Sequence, residues 1–174
     1  MTAFARRLCV AALATAWVIA ASGPAVHADE GWLITSFHSD ITIATDSTLT
    51  VTEDIRVDFG SLQKHGIFRT IPLRYRYDDS RDRYYLLDVK SVTDGSKAVT
   101  YSESIDHDNE VIKIGDAARL VSGKNRYVIT YAVRGALNSF ADHDELFWNV
   151  DGALWPVPKQ SATATVNLPA SAFL

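Results

Sequence analysis

Between Thr48 and Phe59 the chain alternates. Leu49, Val51, Ile55, Val57 and Phe59 share one parity, and Thr48, Thr50, Thr52, Asp54, Arg56 and Asp58 share the other. Period-two patterning of this length predicts a strand with one buried face. Arg126–Arg134 repeats it, with Tyr127, Ile129, Tyr131 and Val133 on one side. Trp32–Phe37 and Ile41–Ala44 predict a first, shorter pair of strands. Tyr84–Val92, Val111–Ile114, Leu146–Val150 and Ala162–Leu168 predict four more. Turn-forming residues punctuate the series: Asp46-Ser47, Asp94-Gly95, His107-Asp108-Asn109, Ser122-Gly123-Lys124 and Asp151-Gly152. Short strands with regular turns predict an all-β fold, an antiparallel β-sandwich with immunoglobulin-like layers. Only Asp116–Val121 suggests a helical turn. Gly60–Tyr77, with Gly66, Pro72 and a dense run of aromatic and basic residues, does not read as a simple strand, and polar Ala136–Asp144 is expected to be a loop.

The beginning of the chain follows a different pattern. Arg6 and Arg7 precede an apolar run of 14 residues, Leu8–Ala21, and then come Gly23, Pro24 and Val26-His27-Ala28. A short apolar run behind positive charge, ending in small residues, is the layout of a signal peptide, so residues 1–28 are expected to be removed after Ala28. The run is too short for a spanning helix, which needs roughly 20 residues. Export places residues 29–174, one extracytoplasmic domain, in the periplasm, at the cell surface or in the medium. Taking Arg6 and Arg7 from the 17 basic residues leaves 15 against 21 acidic, a net charge of −6. That balance argues against nucleic acid and anionic membrane surfaces as partners, since both require concentrated Lys and Arg. The single cysteine, Cys9, lies in the expected leader, so neither disulfides nor thiolate chemistry are expected in the mature domain.

Three blocks carry a family resemblance. The first is Leu49-Thr50-Val51-Thr52-Glu53 followed by His65-Gly66-Ile67-Phe68-Arg69-Thr70-Ile71-Pro72. The second is Ile112-Lys113-Ile114-Gly115-Asp116 leading to Tyr127-Val128-Ile129-Thr130-Tyr131. The third is Glu145-Leu146-Phe147-Trp148-Asn149-Val150-Asp151-Gly152, continuing through Trp155-Pro156-Val157-Pro158 to the Thr163–Pro169 strand. In this order they resemble the YciQ-like predicted membrane proteins of bacteria, in their N-terminal extracytoplasmic domain of unknown function. The resemblance implies a β-sandwich outside the membrane, followed by transmembrane helices. This sequence stops at Leu174 without such a helix, as a truncated product, a fragment or a soluble offshoot would. The family brings no catalytic residues with it.

Several positions stand out for their chemistry. Glu53 falls on the apolar parity of the clearest strand, where a carboxylate needs a partner; Arg69 can supply a bidentate one. The pair reads as a structural ion pair or, less simply, as a polar site in a cleft. His65–Pro72 reads as a crossover or as a recognition segment with Phe68 as its apolar anchor. Asp142, His143, Asp144 and Glu145 bring together potential ligands for Ca²⁺ or Zn²⁺, although adjacent loop residues rarely converge and a solvated acidic turn is the simpler reading. Trp148 and Trp155 could stack on sugars or fill the core. No nucleophile elbow, zinc-protease helix or phosphate loop is present. The expected function is a non-enzymatic binding module of the cell envelope, without cofactor, whose partner is an envelope protein or polysaccharide. A carbohydrate-binding domain and a hydrolase with a spatially assembled site are the alternatives.

Overall fold

The computed structural model describes residues 30–170. The expected signal peptide lies outside them. β1 (Leu33–Ile43) turns through Asp46 and Ser47 into β2 (Leu49–Asp58), its antiparallel neighbour. A five-stranded sheet forms around this pair. β9 (Lys124–Arg134) joins β2, β6 (Leu86–Thr93) joins β9, and β12 (Ala162–Asn167) closes the other edge beside β1. The second sheet holds β3 (Gly66–Pro72), β8 (Asn109–Gly115) and β7 (Tyr101–Asp106), with β8 in the middle. Two short ribbons complete the set: β4 (Arg74–Arg76) with β5 (Asp82–Tyr84), and β10 (Leu137–Ser139) with β11 (Asp144–Leu146).

The two main sheets face each other across one core. Alternation in β2 puts Leu49, Val51, Ile55 and Val57 inside, each at most 1% exposed, beside Tyr127, Ile129, Tyr131 and Val133 of β9. The three-stranded sheet answers with Ile67, Ile71, Ile112 and Ile114. Each such side chain contributes about 1.5–3 kcal/mol when taken fully out of water. Trp32 caps one end of the core against Phe59, with ring centroids 5.2 Å apart.

The all-β sandwich follows the sequence pattern, but several elements differ from expectation. The shorter first pair is one continuous strand, β1, with an irregularity between Ile34 and Ser36. β12 pairs parallel to β1, so the sheet is not purely antiparallel. Asp116–Val121 makes no helical turn: the Asp116 side chain accepts from the Ala118 amide at 2.8 Å, and Val121 then exchanges backbone hydrogen bonds with Lys64. A side chain that closes its own turn competes with helix formation. Ala136–Asp144 is a ribbon connection rather than a plain loop, because β10 and β11 pair across it. Of Leu146–Val150 only Leu146 stays in a strand. No pattern announced β7, whose residues are mostly exposed and polar. Among the described residues, no helix is long and apolar enough to cross a membrane.

Candidate functional site

The parity that buries the aliphatic residues of β2 also buries Glu53, which is 0% exposed. From the facing sheet, Arg69 of β3 reaches across to meet it. Arg69 Nε donates to Glu53 Oε2 at 2.8 Å and Nη2 donates to Oε1 at 2.7 Å, a bidentate fork. The Tyr131 hydroxyl donates to Oε1 at 2.6 Å, and Arg69 Nη1 donates to the Thr70 carbonyl at 2.9 Å. The network therefore ties β2, β9 and β3 together. Burial disfavours the charge on Arg69, but the adjacent Glu53 carboxylate offsets this and holds its pKa above the ordinary guanidinium value. Burial, and after it the Glu53 carboxylate, pushes the Tyr131 phenol well above its ordinary value.

Aromatic rings and a glycine enclose the pair. The guanidinium lies 5.9 Å from the Phe37 ring centroid and 5.4 Å from that of Trp155. Gly152 sits against it with φ +69°; a Cβ there would stand 2.4 Å from Arg69 Nη1. Beside Glu53 in register, Ser39 is also fully buried, and its Oγ finds no hydrogen-bond partner. Glu53 and Arg69 are thus brought together, in a closed compartment rather than an open cleft.

The tryptophans offer no stacking platform. Trp155 is 8% exposed, packs edge-on against Phe37 and donates its indole N–H to the Asp151 carbonyl at 2.9 Å. Trp148 is half-buried between Tyr85 and Tyr131, at 5.2 Å and 6.2 Å. Trp155 is thus part of the core, and Trp148 packs partly buried against it.

His65 and Phe68 lie apart from this core cluster. Phe68 is 59% exposed and points outward from β3, since its neighbours Ile67 and Arg69 take the inward positions. A cleft of about 290 Å³ runs beside it, lined by Trp32, Ile67, Ile114 and Pro156 with Lys64 and Lys113 at its polar side. His65 Nδ1 donates to the Arg119 carbonyl at 3.1 Å, anchoring the start of the strand.

The acidic loop does not converge. Asp144 accepts from Ser139, Glu145 accepts from Asn138, and Asp142 pairs with its neighbour His143, whose ring stacks on Phe140. Among the described residues no three His, Cys, Asp or Glu side chains are grouped to hold a metal. Nor do the histidines assemble a nucleophilic site there. His38 meets Thr163, His107 meets Asp106, and none joins a hydroxyl and a carboxylate at once.

Sequence reasoning missed Tyr131 and Gly152 as members of the buried cluster. Tyr131 was visible only as one more inward residue of β9; its reach to Glu53 depends on the β2–β9 register. It also missed Arg83, which is buried in β5 and has no alternation around it to betray that.

Comparison with known proteins gives one clear match. The family described as predicted membrane protein (DUF2207) N-terminal domain matches residues 33–173. No curated protein matches the chain. Among solved structures, leukotriene A4 hydrolase from Saccharomyces cerevisiae is 11% identical over 59% of this chain and 15% of that one, with a TM-score of 0.41. A two-domain M1 zinc metallopeptidase is 12% identical over 65% and 23%, again with a TM-score of 0.41. A non-cellulosomal cohesin from the archaeon Archaeoglobus fulgidus is 12% identical over 80% and 90%, with a TM-score of 0.31. The chain thus spans less than a quarter of either enzyme.

Proposed function

The chain belongs to the family of predicted membrane proteins defined by this N-terminal domain, and from that premise we propose that it is a non-enzymatic binding module, facing outward from the membrane and docking an envelope protein. The observation that carries the reading is Phe68. A phenylalanine 59% exposed on a strand whose alternate residues are buried, beside an apolar cleft, has the character of an interface anchor. Lys64 and Lys113 give the cleft a polar rim, the usual surround of such an anchor. The buried Glu53–Arg69–Tyr131 cluster, by contrast, joins the sheets, and its carboxylate is taken up by Arg69 and Tyr131.

Site-specific photo-crosslinking in intact cells tests this. A crosslinker at position 68 is expected to yield a discrete protein adduct, and one at exposed Lys90 on β6 is not. Equal, diffuse labelling at both positions would overturn the reading. An adduct from position 68 that persists when the cleft is blocked by Lys113→Trp, at the exposed position in register with Phe68, would also count against it.

A further inference from the structure

Arg83 is buried, at 9% exposure, yet lacks what makes Arg69 comfortable. Its guanidinium lies 5.0 Å from the ring centroid of Tyr77 and 5.0 Å from that of Phe147. These rings offset part of the lost hydration. Among the described residues, however, no carboxylate pairs with Arg83, and its Nη1 is buried without a hydrogen-bond partner. A buried charged donor left unsatisfied is costly, and such groups cluster where a ligand completes them.

A cavity of about 170 Å³ adjoins it, lined by Tyr75, Arg76, Tyr77, Arg83, Asn138, Glu145 and Phe147. At roughly 30 Å³ per liquid water, it holds about five or six waters or one small molecule. Asn138 Nδ2 donates to Glu145 Oε2 at 2.8 Å and so fixes that carboxylate at the wall. Arg83 and Glu145 line the same space but form no ion pair with each other. Arg83 and Glu145 therefore remain separate across a partly aromatic chamber, whose wall also includes Arg76, itself paired with Asp79. The edge of a guanidinium takes a carboxylate as a fork. Glu145 accepts from an ammonium or amide N–H. The rings accommodate a short apolar side group.

We propose that this cavity binds an α-amino carboxylate, either a free amino acid or the C-terminal residue of a peptide, with its carboxylate on Arg83 and its nitrogen on Glu145. The site goes beyond the docking surface at Phe68 and shares no lining residue with that cleft, so failure of either reading leaves the other standing.

The test is an NMR titration of the labelled full chain that follows the Arg83 Nε–H and the Asn138 side-chain amide. The probes are alanine, N-acetylalanine, alaninamide and N-acetyl-alanyl-alanine. The three carboxylate-bearing probes are expected to shift both signals, and alaninamide neither. Tighter binding of alanine assigns a free amino acid as the ligand; tighter binding of the acetylated dipeptide assigns a chain end. Arg83→Lys is expected to weaken binding about ten- to hundredfold, as for a lost charge-assisted hydrogen bond. Glu145→Gln, which keeps an oxygen to accept from Asn138, is expected to erase any preference of alanine over N-acetylalanine. The proposal is overturned if alaninamide matches alanine, if no carboxylate probe shifts either signal at about 10 mM, or if both variants bind like the unaltered chain.

Discussion

Two arginines are buried among the described residues, and they are buried differently. Arg69 has a carboxylate fork, a backbone carbonyl, two ring neighbours and a glycine cut to fit. Arg83 has two rings and the Tyr85 phenol, and its Nη1 is left without a partner. Both escape water, but only the first has its hydrogen-bonding capacity answered from within the chain. The difference separates a side chain whose charge holds a fold together from one whose charge is still available. A buried ion pair need not stabilise relative to apolar packing, but breaking one member of it is severe because the other is stranded.

The largest expected effect breaks the first side of that comparison. Glu53→Gln leaves Arg69 charged and buried, and is expected to cost about 3–5 kcal/mol in urea unfolding, whereas the paired change Glu53→Leu with Arg69→Met should restore most of that loss. A double variant as unstable as the single one would show that packing, not the stranded charge, sets the cost. Next comes Gly152→Ala, which combines a left-handed backbone with a Cβ placed against Arg69; about 2 kcal/mol is expected, read from the same unfolding curve.

Tyr131→Phe removes one donor to Glu53 and is expected to cost about 1 kcal/mol at neutral pH. It also has a signature in alkali. The Tyr131 phenol titrates above its ordinary 10 in the folded chain, so its contribution is whole below pH 10 and is lost as pH rises beyond it. The unaltered chain should therefore lose stability more steeply above pH 10 than the Phe variant. Parallel slopes would dissociate the phenol from the network. Arg83→Met should change stability least, by under about 1 kcal/mol in either direction, because no carboxylate is stranded and the Tyr85 hydroxyl keeps its bond to the Phe147 carbonyl. A loss as large as that of Glu53→Gln would mean that Arg83 belongs with Arg69 after all.

Legibility from sequence followed the range of the forces involved. Alternation in 48–59 and 126–134 is local, so β2, β9 and their inward faces could be read directly. Glu53 stood out because it broke that alternation, and Arg69 because its chemistry answered it. Tyr131 and Gly152 could not be read, since their roles arise from register and from the return of the chain around Trp155. β7 was invisible because an exposed strand carries no apolar stripe. The tryptophans were ambiguous because a large ring suits both a core and a binding face, and only its neighbours decide. His65–Pro72 was readable both as a crossover and as a recognition segment, but not the cleft beside the exposed Phe68, which is assembled from segments as distant as Trp32 and Pro156.

The parallel pairing of β12 with β1 bears on how the domain would meet tension. Phe37 lies beside Ala162 and Thr42 beside Asn167, so the two strands run the same way and their outer ends are at opposite ends of the sheet. A pull on Leu33 and on Asn167 would slide one strand along the other instead of peeling them apart. The evenly spaced bonds of a parallel ladder would then be loaded together. Stretching single molecules by these two points should give one abrupt rupture, and a slow unravelling at low force would contradict the geometry. A domain held this way is a stiff link in shear, able to pass a force along its length before it yields.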